Sequence, residues 1–107
     1  MKTGRMLFAC IALAASSQVL AGVSCKAPSR NGDRWSYICS EDGSATAQLI
    51  CNFNFSVQAA DGESGALSAK KAIIKNAKNV VMWSEEKLNG KKITSVTYSG
   101  GSCNTTN

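Results

Sequence analysis

The side chains of this chain with chemistry to offer are aromatic and cationic, suited to recognition more than to catalysis. Histidine is absent, which removes Ser-His-Asp and Cys-His nucleophilic devices and most metal-assisted hydrolysis. The acids form adjacent pairs at Glu41-Asp42 and Glu85-Glu86, whereas glycoside cleavage needs carboxylates facing each other across a cleft. Gly62-Glu63-Ser64-Gly65 reads as a turn and cap and lacks the make-up of a phosphate-cradling loop. With neither a histidine nor a CxxC pair, no metal set or cofactor is implied. Trp35 and Tyr37 follow a polar loop, so their rings are candidates for stacking on sugars, while Trp83 and Tyr98 read as core. Lys71, Lys75 and Lys78 gather into one basic stripe. No nucleic-acid motif is present.

These residues sit in a small exported domain. Lys2 and Arg5 precede an apolar run from Met6 to Ala15 that is too short to span a bilayer, and Val19-Leu20-Ala21 has the small residues of a cleavage site. Residues 1–21 therefore read as a secretory signal peptide, with cleavage expected after Ala21. No membrane span is expected to remain. Residues 22–107 form a single domain with ten cations and seven acids, a mild excess of +3. A domain of this size has a thin core and gains from covalent staples. Once Cys10 has left with the signal, four cysteines remain: Cys25, Cys39, Cys51 and Cys103. An even count in an exported chain reads as two disulfides, placing the protein outside the cell or in the periplasm.

The elements that position the candidates follow from hydrophobic spacing. Arg34 to Ser40 alternates as a short strand, and Asp42-Gly43 reads as the turn after it. From Ala45 to Ala59, Leu49, Cys51, Phe53, Phe55 and Val57 alternate with polar residues, the cleanest period-two run in the chain. Asp61-Gly62 ends that run. Gly65 to Lys78 is expected to be an amphipathic helix capped by Ser64. Ala66, Ala69, Ala72, Ile73 and Ala77 share one arc of it, and Lys71, Lys75 and Lys78 lie opposite. Between Ile73 and Val81 neither alternate set is consistently apolar, and Asn76 and Asn79 are stop signals. Val80 to Ser84 is β-rich, and Asn89-Gly90 signals a two-residue hairpin. That hairpin sets Leu88 opposite Lys91, Trp83 opposite Val96 and Val81 opposite Tyr98. The expected fold is α+β: a disulfide-stapled antiparallel sheet or OB-like barrel with one amphipathic helix.

Leu67-Ser68-Ala69-Lys70-Lys71-Ala72-Ile73, leading to Asn79-Val80-Val81-Met82-Trp83 and later Ile93 to Tyr98, resembles the helix-then-strand segment of cholera-type toxin B subunits. Trp35 to Cys39, Cys51 and a late cysteine are similar to the layout of subtilase-type B subunits. The resemblance implies an OB-fold, a homo-oligomeric ring with the lysine-bearing helix at its pore, a cell-surface glycan ligand and a catalytic A subunit as partner. Ser64-Gly65-Ala66, Val81-Met82-Trp83-Ser84 and Cys103 are similar in order to periplasmic inhibitors of c-type lysozyme. That second resemblance implies a small β-barrel that blocks an enzyme cleft.

Disulfide pairing can be argued from register. A loop at Asn31-Gly32-Asp33 sets Cys25 across from Cys39, which leaves Cys51 for Cys103. Cys25–Cys51 with Cys39–Cys103 remains open. A Cys39–Cys51 bond is disfavoured, because an Asp42-Gly43 hairpin would put those sulfurs on opposite faces. The expected function is therefore non-enzymatic binding. A glycan-binding, toxin-B-like subunit is the first reading, an inhibitor of an extracellular enzyme such as lysozyme the second, and a structural envelope protein the third.

Overall fold

A computed structural model describes residues 17–105. The expectations for residues 1–16 lie outside that range. The described chain is built from nine strands in two antiparallel sheets: β1 (Ser17–Leu20), β2 (Val23–Lys26), β3 (Ser29–Asn31), β4 (Arg34–Glu41), β5 (Leu49–Ala59), β6 (Ser64–Ile73), β7 (Val80–Glu85), β8 (Lys87–Leu88) and β9 (Lys91–Thr105). The first sheet centres on β4. Cys39 pairs with Cys25 on one side and Val80 on the other, and Ser36 pairs with Ser29 and Ser84. β2 and β3 thus share one flank of β4, and β7 takes the other. The second sheet runs β6-β5-β9-β8.

β5 is the spine of the second sheet, and its burial alternates without a break from Leu49 to Ala59. Phe53 and Phe55 are fully buried, each stabilising the fold by about 1.5–3 kcal/mol. Tyr37 from the first sheet meets both rings edge-on, at 5.0 and 5.1 Å between centroids. Tyr98 stacks on Tyr37 at 5.4 Å, and Trp83 stacks on Phe55 at 4.7 Å. A bulge in the β4–β7 ladder follows Tyr37–Trp83 and skips one residue of β7, so that consecutive Met82 and Trp83 are both buried. The two disulfides join directly paired residues, Cys25–Cys39 between β2 and β4 and Cys51–Cys103 between β5 and β9. Near the tip, the loop expected at Asn31-Gly32-Asp33 is a two-residue turn, since Asn31 pairs with Arg34. An irregularity across Ala27-Pro28 restores the register that brings Cys25 to Cys39.

The expected helix over Gly65–Lys78 is not there, and the α+β class becomes an all-β, two-sheet fold among the described residues. Ser64–Ile73 is β6, paired residue for residue with β5. Gly65, Leu67, Ala69 and Ile73 stand opposite Val57, Phe55, Phe53 and Leu49. The inward positions of β6 are thus apolar or glycine except for Lys71 opposite Cys51, while Ala66 and Ala72 fall on the outward face. Apart from Gly65, which costs a helix interior about 1 kcal/mol, helix propensity differs among these residues by only tenths of a kcal/mol, and a segment this short gains little helix alone. An eleven-residue strand with an apolar face, by contrast, has a row of amides and carbonyls to satisfy on each side. The failed alternation after Ile73 marks the connection to β7, where Asn76 and Asn79 adopt positive φ.

Two hairpin expectations are also corrected. Asn89-Gly90, at φ 51° and 81°, does form the two-residue turn, with Leu88 opposite Lys91. Ile93 N–H still donates to the Glu86 carbonyl at 3.1 Å. Beyond that point the arms part: β7 joins β4 and β9 joins β5, so Trp83 pairs with Tyr37, Val96 with Val57 and Tyr98 with Phe55. Each arm satisfies the flank of a strand that its other neighbours leave open, and the parting closes one sheet over the other. Asp42-Gly43 likewise makes no β4–β5 hairpin, because those strands lie in different sheets. Residues 42–48 cross between the sheets, and strand structure resumes at Leu49 rather than Ala45. Ala21, after which cleavage is expected, sits in the β1–β2 turn.

Candidate functional site

The outward residues of the second sheet form five cross-strand rows. In order these are Ser64–Gln58–Ser95, Ala66–Ser56–Thr97, Ser68–Asn54–Gly100, Lys70–Asn52–Ser102 and Ala72–Ile50–Asn104. Most of them are exposed, none is acidic, and Lys70 is the one charge. With alternate residues about 6.8 Å apart along a strand and neighbouring strands about 4.8 Å apart, the face is about 27 Å long and about 10 Å wide. Apart from Lys70, its polar groups are amides and hydroxyls held by a three-strand ladder, and Ala66, Gly100, Ala72 and Ile50 fill the remaining positions. Ser68 Oγ donates to Asn54 Oδ1 at 3.2 Å and Asn104 Nδ2 to Ser102 Oγ at 3.4 Å. Such a surface can exchange hydrogen bonds to water for hydrogen bonds to a hydroxyl-bearing chain. Each exchange is worth about 0.5–1.5 kcal/mol, so useful affinity needs several rows engaged at once.

One cation stands on the face and two more lie beside it. Lys70 is in the fourth row; Lys71, paired with Cys51, points to the opposite side of the edge strand β6, and Lys75 lies in the turn beyond, all three exposed. None of the three has an ion-pair partner among the described residues. Lys78, placed with Lys71 and Lys75 on one stripe by the helix expectation, is engaged elsewhere. Its Nζ donates to the Glu41 carbonyl at 3.0 Å, and its charge adds to the side-chain and backbone hydrogen bonds of Ser44 that hold the Asp42 carboxyl below the usual carboxylate range. The stripe is therefore not a helix face. Two of its lysines lie at the end of a sheet, and the third ties down a loop.

The aromatic candidates fare differently from one another. Tyr37 has no exposed surface, so its ring cannot meet a ligand, and that expectation is corrected. Its hydroxyl finds no hydrogen-bond partner among the described residues, and burial, reinforced by neighbouring Tyr98, pushes its pKa up. Trp35 is half-buried; its Nε1–H donates to the Ile93 carbonyl at 3.3 Å, and the Arg30 guanidinium lies 5.7 Å from its ring centroid. One ring face is thus taken by a cation–π contact. It closes one end of the core rather than offering an open platform.

Glu41 is the one buried charged residue among those described. Its carboxylate accepts from the backbone N–H groups of Gly43, Ala45 and Asn76 at 2.6, 2.8 and 2.7 Å. The Asn76 amide, followed by those of Gly43 and Ala45, holds its carboxyl below the ordinary range against the opposing effect of burial. The arrangement gives each oxygen at least one amide donor and clamps the 42–48 crossover to the turn after β6.

In sequence, Asn52, Asn54, Ser56 and Gln58 are only the polar half of an alternation, and Ser64, Ser68 and Lys70 belong to the expected helix. The usable signal was that the polar half of β5 carries no charge over eleven residues. No group of three metal-ligating side chains occurs among the described residues, and no helix among them is long and apolar enough to cross a membrane. No protein-family model matches this chain, and neither a curated protein nor a solved structure is found to match it.

Proposed function

We propose that this chain is an exported, non-catalytic binding domain whose ligand is a hydroxyl-rich chain, a glycan, laid on the outer face of the second sheet. One observation carries the reading: ten neutral amide and hydroxyl side chains spread over five rows free of acids, on a sheet braced by the Cys51–Cys103 bond. The disulfides suit an oxidising compartment, secreted or periplasmic. The toxin-B form of the reading, with a homo-oligomeric ring and a catalytic A subunit, rested on a pore-facing helix over residues that form β6. The glycan reading stands without it. The test is a glycan array probed with the oxidised mature chain and with Asn54→Glu, an exposed change at the centre of the face. Binding by the wild type, lost in Asn54→Glu at an unchanged melting temperature, is the expected outcome. An array with no ligand for the wild type removes the reading.

A second reading, inhibition of an extracellular enzyme such as c-type lysozyme, is favoured by the all-β architecture. The resemblance behind it implies a small β-barrel, and its two matching segments run in β6 and β7 with no helix between them. A turbidity assay of c-type lysozyme with equimolar protein decides it: an unchanged rate of lysis rejects inhibition.

A further inference from the structure

The charges of the described residues divide unevenly, and the division specifies the ligand more narrowly than "glycan". Asp33, Asp61 and Glu86 are paired with Lys92, Lys91 and Arg34 at 3.1, 3.2 and 3.0 Å. Glu41 is enclosed by backbone amides, Asp42 accepts from the Ser44 amide, and Glu63 accepts from Asn89 Nδ2. Glu85 lies on β7 in the other sheet. No acid is therefore paired with Lys70, Lys71 or Lys75 among the described residues, and the potential over that end of the second sheet is positive. Lys70 shares its row with Asn52 and Ser102. A chain lying on the neutral rows thus runs directly onto an ammonium.

We infer that the glycan taken by this face is acidic, with its hydroxyls over the neutral rows and a carboxylate or sulfate at Lys70, while Lys71 and Lys75, beside the face, add to the positive field there. The inference rests on the glycan reading above and adds the charge of the ligand. Neutral rows alone give contacts that any hydroxylated chain satisfies. The lysine end supplies the discrimination, because an uncharged chain gains nothing from it and an anionic one does. The three ammonium groups are solvent-exposed, so the gain is moderate and falls as salt is raised.

The experiment uses the oxidised mature chain and its K70Q/K71Q/K75Q variant. Both are measured on an array of matched neutral and uronate- or sulfate-bearing glycans, and on phosphatidylcholine vesicles containing phosphatidylglycerol. The wild type is expected to prefer the acidic member of each pair. The variant is expected to bind acidic members about tenfold more weakly and neutral ones unchanged, with no shift in melting temperature. Equal retention of neutral and acidic glycans overturns this inference and leaves the glycan reading standing. Acidic binding that survives the triple substitution overturns the assignment to these lysines. Vesicle binding as tight as glycan binding overturns it too, because charge alone would then suffice. Retention of no glycan at all removes both readings together.

Discussion

Replacing Tyr37 by phenylalanine should stabilise this protein, contrary to the usual result of deleting a core hydroxyl. The phenol is wholly inaccessible, and its oxygen has no partner among the described residues. A buried, unsatisfied hydroxyl costs about 1–3 kcal/mol relative to its hydrated state in the unfolded chain. The ring's contacts with Phe53, Phe55 and Tyr98, at 5.0, 5.1 and 5.4 Å, do not involve the oxygen and survive the change. The small void left behind offsets part of the gain, so Y37F should be about 1–2 kcal/mol more stable. For a domain of this size, each kcal/mol raises Tm by about 4–8 °C. The measurement is urea unfolding of the oxidised mature chain, followed by tryptophan fluorescence, with the m-value unchanged. A loss of about 1 kcal/mol or more would refute the reasoning and show that the hydroxyl is satisfied, for instance by a buried water. Alkaline titration gives a second readout. The folded phenol holds its proton above the ordinary value near 10, so the unfolded chain releases it first. Stability should therefore fall as pH rises past about 10 in the wild type, and Y37F should flatten that limb.

Glu41 and Asp42 both shape the acid limb: their folded pKa values are depressed, so their contributions are complete above the ordinary carboxylate value and are lost as pH falls through the lower folded values. Urea midpoints measured from about pH 6 to about pH 3 should decline in the wild type, while Glu41→Gln should start lower and decline less. Gly101→Ala should destabilise by about 1–3 kcal/mol, because its Cβ would press on the Asn52 carbonyl, with Phe53 Cδ1 at 2.8 Å and the Tyr98 hydroxyl at 3.0 Å. Full wild-type stability of that variant, by thermal melting, would show that β5 and β9 can separate there without cost. Of the two disulfides, Cys51–Cys103 closes the longer loop, 52 residues against 14. Replacing its cysteines pairwise by alanine should cost about 4 kcal/mol, against about 3 for Cys25–Cys39. The reverse order in denaturant titrations would mean that strain or unfolded-state structure outweighs loop entropy.

Local patterns were sufficient for a substantial part of this molecule. Leu49, Cys51, Phe53, Phe55 and Val57 alternate in sequence and line the core in space, because period two has one strand interpretation when the apolar half is continuous. Asn89-Gly90 specified its turn through the two residues themselves, which tolerate positive φ with no help from neighbours. The Cys25–Cys39 pairing expected from a three-residue loop does form, but through a two-residue turn and a compensating irregularity across Ala27-Pro28 that the sequence did not announce. What the chain could not declare is what lies beside each strand. Gly65–Ile73 suits a helix and a strand about equally, and the choice fell to strand because β5 presents ten residues of backbone to pair with. Whether Trp83 faces Val96 or Tyr37 depended on which sheet each hairpin arm joined, a long-range decision with no local trace. The neutral face exists for the same reason: Asn54, Ser68 and Gly100 become one row only after β6 and β9 have chosen the two flanks of β5. Backbone pairing is satisfied across space, and its partners are set by the topology that closes the core rather than by neighbours along the chain.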